Sequence, residues 1–150
     1  MLSPKPIFHI CAQLADILQI GRTPYGERRV IGILGGSVEG EKLIGRILPG
    51  GSDWQIVRSD DAVDVKANYV IETDAGARIL VASEGLRCGA PDLMAKLAAG
   101  EPVAPDLYYF RTVMRFETSD PSLDWLNRIL ALARGARHQK AVDLDVYQVL

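Results

Sequence analysis

The stretch Asp61-Ala62-Val63-Asp64-Val65-Lys66-Ala67-Asn68-Tyr69-Val70-Ile71-Glu72-Thr73 decides the fold class. Val63, Val65, Ala67, Tyr69 and Ile71 share one phase of a two-residue alternation, and Asp64, Lys66, Asn68 and Glu72 share the other. Successive side chains of a strand point to opposite faces, and an antiparallel sheet needs to bury only one of them. The segment therefore reads as a half-buried strand.

Working outward, the same reading predicts strands near Ile7 to Leu14, Arg28 to Glu39, Leu43 to Leu48, Trp54 to Val57, Ala77 to Ser83, Tyr108 to Glu117, Ile129 to Arg134 and Val142 to Val149. Glu39-Gly40-Glu41-Lys42, Pro49-Gly50-Gly51-Ser52 and Asp74-Ala75-Gly76 supply turns between them, so neighbouring strands are expected to pair antiparallel. Two helical segments interrupt the series. Pro91 opens one that runs through Ala99, with Gly100 suited to the left-handed position after it, and this helix is expected to cap a barrel end. Asp120 caps a shorter one begun by Pro121. Many short strands and few helices leave a sandwich or a barrel, and the hairpin order favours an up-and-down barrel.

The chain has 150 residues, 48% of them hydrophobic, enough to bury one core and too few for two ordinary domains. Residues 1–150 are therefore read as a single β-barrel domain. With 17 basic and 19 acidic residues the net charge is -2, so no basic excess exists to compete for nucleic-acid phosphates. Met1 to Leu14 lacks the charged start and apolar run of a signal peptide, and no stretch is long and apolar enough for a membrane-spanning helix. Cys11 and Cys88 cannot form a disulfide framework and have no metal-ligand spacing, which together favour a cytoplasmic protein. His9 and His138 likewise have no Cys, Asp or Glu at a recognised metal spacing. No metal and no cofactor is expected.

Two glycine-rich elements follow one another: Ile33-Leu34-Gly35-Gly36-Ser37-Val38-Glu39-Gly40, then Gly45-Arg46-Ile47-Leu48-Pro49-Gly50-Gly51-Ser52-Asp53-Trp54-Gln55. Tyr109-Phe110-Arg111, Arg115-Phe116-Glu117 and Asp124-Trp125-Leu126-Asn127-Arg128 come later. Together these resemble the bacterial and fungal family catalogued as domain of unknown function thirty-two thirty-seven, over nearly the whole chain. The resemblance implies a closed β-barrel of about eight strands with one or two short helices, similar to the allene oxide cyclase barrel, enclosing a cavity. It implies no particular activity. One departure is Leu123-Asp124, where the family often has Tyr-Ala.

The candidate site residues each have two readings. Asp53 and Trp54 follow the Pro-Gly-Gly turn and are expected near a barrel rim. Asp53 is then either a general base raised by a dry aromatic surrounding, or an acceptor of backbone N–H groups from the glycine turn, with Trp54 filling the barrel. Arg111, Arg115 and Glu117 share one strand face, opposite Phe110, Thr112, Met114 and Phe116. If the aromatic face fills the lumen, the charges face water; with the faces exchanged, Arg111 clamps a carboxylate or polarises a carbonyl inside, with Glu117 beside it. Trp125 and Asn127 either plug a barrel end or present an indole and an amide to a ligand. Tyr69 is core, or a phenolic donor into a cavity. Cys88, beside Arg87, lacks a base partner and reads as a free thiol.

Gly35 to Lys42 is not a phosphate loop, because Gly40 is followed by Glu41 and no helix follows. Three functions remain open: a cofactor-independent isomerase, cyclase or lyase acting on a small apolar or aromatic carbonyl compound; a non-catalytic barrel that binds a small hydrophobic molecule; or a structural oligomeric subunit. Apolar residues on both faces of some strands point to a homo-oligomer in each case.

Overall fold

The computed structural model describes residues 1–150 and contains nine strands. They are β1 (Phe8–Thr23), β2 (Gly26–Glu39), β3 (Ile44–Ile47), β4 (Gly51–Val57), β5 (Val63–Thr73), β6 (Arg78–Cys88), β7 (Tyr109–Thr118), β8 (Ala131–Arg137) and β9 (Ala141–Gln148). Helix α1 (Pro91–Ala98) lies between β6 and β7, and a 3₁₀ segment, Pro121–Arg128, between β7 and β8. Apart from β3 and β4, strands adjacent in sequence pair antiparallel, and β9 returns to β1, so the sheet closes into an up-and-down barrel. Closure removes the unpaired edges that would otherwise invite association.

Nine strands occupy eight positions because β3 and β4 are one interrupted strand. Both pair with β2, Gly36 opposite Ile47 and Ile33 opposite Gly51, and both pair with β5 on the other side. The Pro49-Gly50 element is therefore a kink in the barrel wall, where a reversal of the chain near a rim was expected. Gly50 has φ +110°, and a Cβ on Gly51 would stand 2.6 Å from the Asn68 carbonyl oxygen, so the kink needs both glycines. Asp53 consequently hangs from the middle of the wall.

Phases follow the alternation. The inward set includes Ile10 and Ala12 of β1, Ile31 and Ile33 of β2, Val65, Tyr69 and Ile71 of β5, Ile79 and Val81 of β6, Met114 and Phe116 of β7, and Val146 of β9. Phe110, Thr112, Met114 and Phe116 are buried, which turns Arg111, Arg115 and Glu117 outward. At one end of the barrel Leu123 and Leu126 of the 3₁₀ segment drop into a cluster with Phe8, Val38, Ile79 and Phe116. Asp120 caps this segment by accepting the Ser122 N–H at 2.8 Å. The other end is covered by α1, whose Leu97 packs on Val63, Val65, Tyr108 and Phe110. Pro91 stands in its first turn and Gly100 follows it at φ +78°, as the sequence leads one to expect.

Strand β1 is longer than its alternation suggests. Burial alternates from Phe8 to Leu14 and then stops, because β1 pairs with β9 only as far as Gln13 opposite Ala141 and follows β2 alone to Thr23. With one partner and water on both faces, Asp16-Ile17-Leu18-Gln19-Ile20 has no apolar phase to keep. The departure leaves a seam between β1 and the β8–β9 turn, spanned by Lys140 and Asp16 with Nζ 3.9 Å from Oδ1.

The packing predicts an asymmetry between two apolar side chains. Leu126→Ala empties a fully buried position and is expected to cost about 3 kcal/mol. Trp54→Ala removes an outward-facing indole that is 52% exposed and is expected to cost no more than about 1 kcal/mol. Urea denaturation of both variants checks this; equal losses would contradict the assignment of phases.

Candidate functional site

Four inward positions near the α1 end carry polar groups where the alternation calls for apolar ones. Arg29 is in phase with Ile31 and Ile33 on β2, and Gln55 with Asp53 on β4. Arg87 is in phase with Ile79 and Val81 on β6, and Arg137 with Ala131 and Ala133 on β8. Each comes near the strand end that faces α1, so barrel closure gathers them around one chamber, with Asp53 and Tyr69 deeper in the wall.

The hydrogen bonds order these groups. Arg29 Nε donates to Gln55 Oε1 at 2.7 Å, and Gln55 Nε2 donates to Asp53 Oδ2 at 2.7 Å. A guanidinium only donates and a carboxylate accepts, so the Gln55 amide has one possible orientation. Its side chain is 2% exposed. The second Asp53 oxygen accepts the Lys66 backbone N–H of β5 at 2.9 Å, in place of the expected bonds from the glycine turn. Burial raises the Asp53 carboxyl above its ordinary value, against the opposing pull of the Gln55 and Lys66 hydrogen bonds and of Arg87 and Arg29. Trp54 takes no part in this, since it faces outward.

Arg87 is 5% exposed and has neither a hydrogen-bonding nor an ion-pair partner within the protein, and its Nε is fully enclosed. Its guanidinium lies 5.4 Å from the centre of the Phe110 ring. Burial first, then the like charges of Arg29 and Arg137, push it down to about 10, while Asp53 and Tyr108 pull it back. Arg137 is lowered by burial and by Arg29. The Tyr108 hydroxyl accepts the Arg137 backbone N–H at 2.8 Å. The Tyr69 hydroxyl is enclosed without a partner, and burial together with the Asp53 charge raises it well above the usual phenol range. Thr112 Oγ1 is likewise enclosed and unpartnered, so all three such atoms belong to inward-phase residues.

Two clefts of ≈ 260 Å³ each flank α1, and both reach Arg29, Arg87, Leu97 and Ala98. One opens past Val57, Val63 and Met94; the other opens through the seam past Arg137, Gln139 and Lys140. The clefts bring guanidinium groups and apolar side chains together under a short helix, and Arg29 connects them through Gln55 to Asp53 deeper in the barrel.

The residues singled out in the sequence do not all meet there. Asp53 and Tyr69 do. Arg111 lies outside the barrel, where its Nη1 donates to the Phe110 carbonyl at 2.9 Å and its guanidinium stands 5.1 Å from the Tyr109 ring centre, so it cannot reach the lumen. Glu117 also faces outward. Trp125 and Asn127 sit at the opposite end. Trp125 packs on the larger core under the Lys42 ammonium, 4.7 Å from the ring centre. Asn127 accepts the Thr118 N–H at 2.8 Å and donates to Thr118 O and Asp124 Oδ1 at 3.0 and 3.1 Å, which occupies its amide. His9 and His138 are on the outer surface, 2.8 Å from Asp145 and 2.7 Å from Asp143 respectively. Arg29, Gln55, Arg87 and Arg137 escaped the sequence reading, although each is a polar residue on a core phase. That signal marks them.

Residues 2–149 match the family described as Protein of unknown function (DUF3237). A UPF0311 protein of Rhodopseudomonas palustris is 45% identical over 99% of this chain and 97% of its own length. The crystal structure of a conserved protein of unknown function from the same species superposes with a TM-score of 0.94 at 44% identity, covering 100% of this chain and 98% of that one. An enzyme from Penicillium herquei shares the fold, with a TM-score of 0.68 at 19% identity over 99% and 97% of the two chains.

The raised Asp53 carboxyl has a thermodynamic consequence. An acid that holds its proton more tightly folded than unfolded loses stability as pH rises from its unfolded value, 3.8, through its folded one. Asp53→Asn removes that loss. From pH about 4 to about 7 the melting temperature of the wild type is expected to fall relative to the variant. Thermal melts across that range check it, and a relative gain by the wild type would contradict it.

Proposed function

The chain belongs to the DUF3237 family of proteins of unknown function, and from that premise we propose that the chamber beneath α1 is a cofactor-independent active site. It moves a proton on a small apolar or aromatic carbonyl compound, in an isomerisation, cyclisation or elimination. The observation that carries this reading is the lumenal Asp53, raised by burial and held on both oxygens, within the electrostatic reach of Arg87 and of the unpartnered Tyr69 hydroxyl.

The chemistry follows from the roles these groups can take. Ionised Asp53 accepts a proton from the carbon next to the carbonyl, and the electron pair of that C–H bond passes to the carbonyl oxygen as an enolate. Arg87 stabilises the developing negative charge, and the Tyr69 hydroxyl is a further donor. Protonated Asp53 then returns its proton to another carbon, or the enolate expels a leaving group. A raised carboxyl suits this work, because a base with a pKa nearer the working pH drives the transfer better. Arg29 acts through Gln55 and is a positioning residue: it aims the amide that holds Asp53. Val63, Val65, Leu97 and Phe110 supply the apolar wall for the body of the substrate. A cleft of ≈ 260 Å³ lies just below the usual range of ligand pockets and suits a compound of one or two rings.

Deuterium exchange tests this without knowledge of the natural substrate. Benzo-fused ketones such as 2-tetralone are incubated with protein in D₂O and followed by NMR. The wild type is expected to accelerate exchange at the α-carbon, and Asp53→Asn to slow it by about a hundredfold or more while sparing affinity for the ketone. Undiminished exchange in the variant removes Asp53 from the mechanism, and ketone binding without exchange in the wild type leaves the barrel a binding protein.

Self-association is supported by an outer row of apolar residues, Leu18 beside Val30 and Val30 beside Trp54. Light scattering at micromolar concentration is expected to give a multiple of the 16.4 kDa chain mass, and a monomer would overturn this.

A further inference from the structure

The chamber holds more positive charge than its own residues neutralise. Arg29, Arg87 and Arg137 influence one another there, and Asp53 is the one carboxylate acting on all three. The cleft that opens through the seam adds Lys140 and Asp16, which face each other across the gap at 3.9 Å and leave the three guanidinium groups as the balance. Asp61 lines the cleft on the other side of α1. None of the three arginines has a carboxylate within ion-pairing distance.

A buried charge without a partner is unfavourable, and proteins usually pair it or leave it in water. Arg29 spends its Nε on Gln55, and Arg137 has a contact of 3.4 Å from Nη1 to the Ala141 carbonyl. Arg87 has nothing, with its Nε enclosed and the group reaching both clefts. A guanidinium presents parallel N–H groups that match the two oxygens of a carboxylate. Arg87 and Arg137 both line the cleft at the inner end of the seam, beside Leu97 and within reach of Asp53's field.

We infer that the molecule taken up through the seam carries a carboxylate, which Arg87 and Arg137 bind while its apolar or ring portion lies against Leu97 and Phe110. This rests on the proposed proton-transfer site and narrows its substrate class from carbonyl compounds at large to anionic ones. It also assigns to Arg87 and Arg137 the role of choosing the ligand. The carboxylate enters through the seam, where the excess positive charge of the three guanidinium groups over Asp53 favours the approach of an anion.

Benzoate and its neutral isostere benzamide are the probes, titrated into the full chain by calorimetry at low salt. Benzoate is expected to bind and benzamide to bind at least about tenfold more weakly, the difference being a charge-assisted bidentate contact. Arg87→Met and Arg137→Gln should each abolish that preference and leave benzamide unchanged. Arg87→Met should also melt higher than the wild type without ligand, because it removes an unpaired buried charge, and its melting temperature should no longer respond to benzoate. Equal binding of the two probes, or an undiminished preference in both variants, overturns the inference. Competition by chloride as effective as benzoate would mark an adventitious ion only, and overturns it too.

Asp53→Asn separates this inference from the reading beneath it. The variant should keep or tighten benzoate binding, since it removes a like charge, while losing ketone exchange. Exchange lost in Asp53→Asn with no preference for benzoate leaves the active site and refutes the anion receptor. Preference for benzoate with exchange unaffected by Asp53→Asn leaves the receptor and refutes the base.

Discussion

Closure of the sheet is the constraint on which the rest of this structure depends. Once β9 pairs with β1 and the interrupted β3–β4 strand bridges β2 and β5, the phase of every strand is set by its neighbours. A slip of one residue would turn the whole inward set of a strand to water. The inward phase therefore carries whatever the barrel does. It is apolar over most of its length, and its charged groups gather where β2, β4, β6 and β8 approach α1.

The two barrel ends use that phase differently. At one end the 3₁₀ segment lowers Leu123 and Leu126 into a continuous apolar cluster. At the other end the wall is incomplete, because β1 leaves β9 at Gln13 and runs on with β2 alone. Helix α1 covers this opening with one buried leucine, Leu97, and leaves a cleft on either side. The break in the wall and the gathering of polar groups coincide at this end.

The inward phase is also where the fold gives up stability. Arg87 is buried and unpaired, Asp53 is disfavoured in its ionised form, and the Tyr69 and Thr112 hydroxyls have no partner. Such groups are each destabilising unless a bound molecule satisfies them. Gln55 limits the loss by joining Arg29 to Asp53 in a chain with one possible orientation. The preorganised arrangement is the kind that stabilises charge developing in a reaction, since the donors need not reorient when it appears.

The alternation of Asp61 to Thr73, the turn residues between strands, and the proline and glycine bracketing α1 carried enough local information to mark nine strand segments, a capping helix and a short helical segment capped by Asp120. Such signals act over a few residues and need no partner. Asp53 and Tyr69 were legible as candidates, but the sequence placed Asp53 at a rim, because a Pro-Gly-Gly element ordinarily reverses the chain. Only pairing of β3 and β4 with the same two neighbours made it a kink. Arg111 lies inside the strand read from Tyr108 to Glu117, whereas Arg87 lies beyond the strand read from Ala77 to Ser83, and only the pairing of β6 with β7 as far as Cys88 carries the inward phase to it. The chamber itself was decided by tertiary structure for the same reason. Arg29, Gln55, Arg87 and Arg137 are on four different strands, and the hydrogen-bond register between strands, which no local pattern encodes, brings them together.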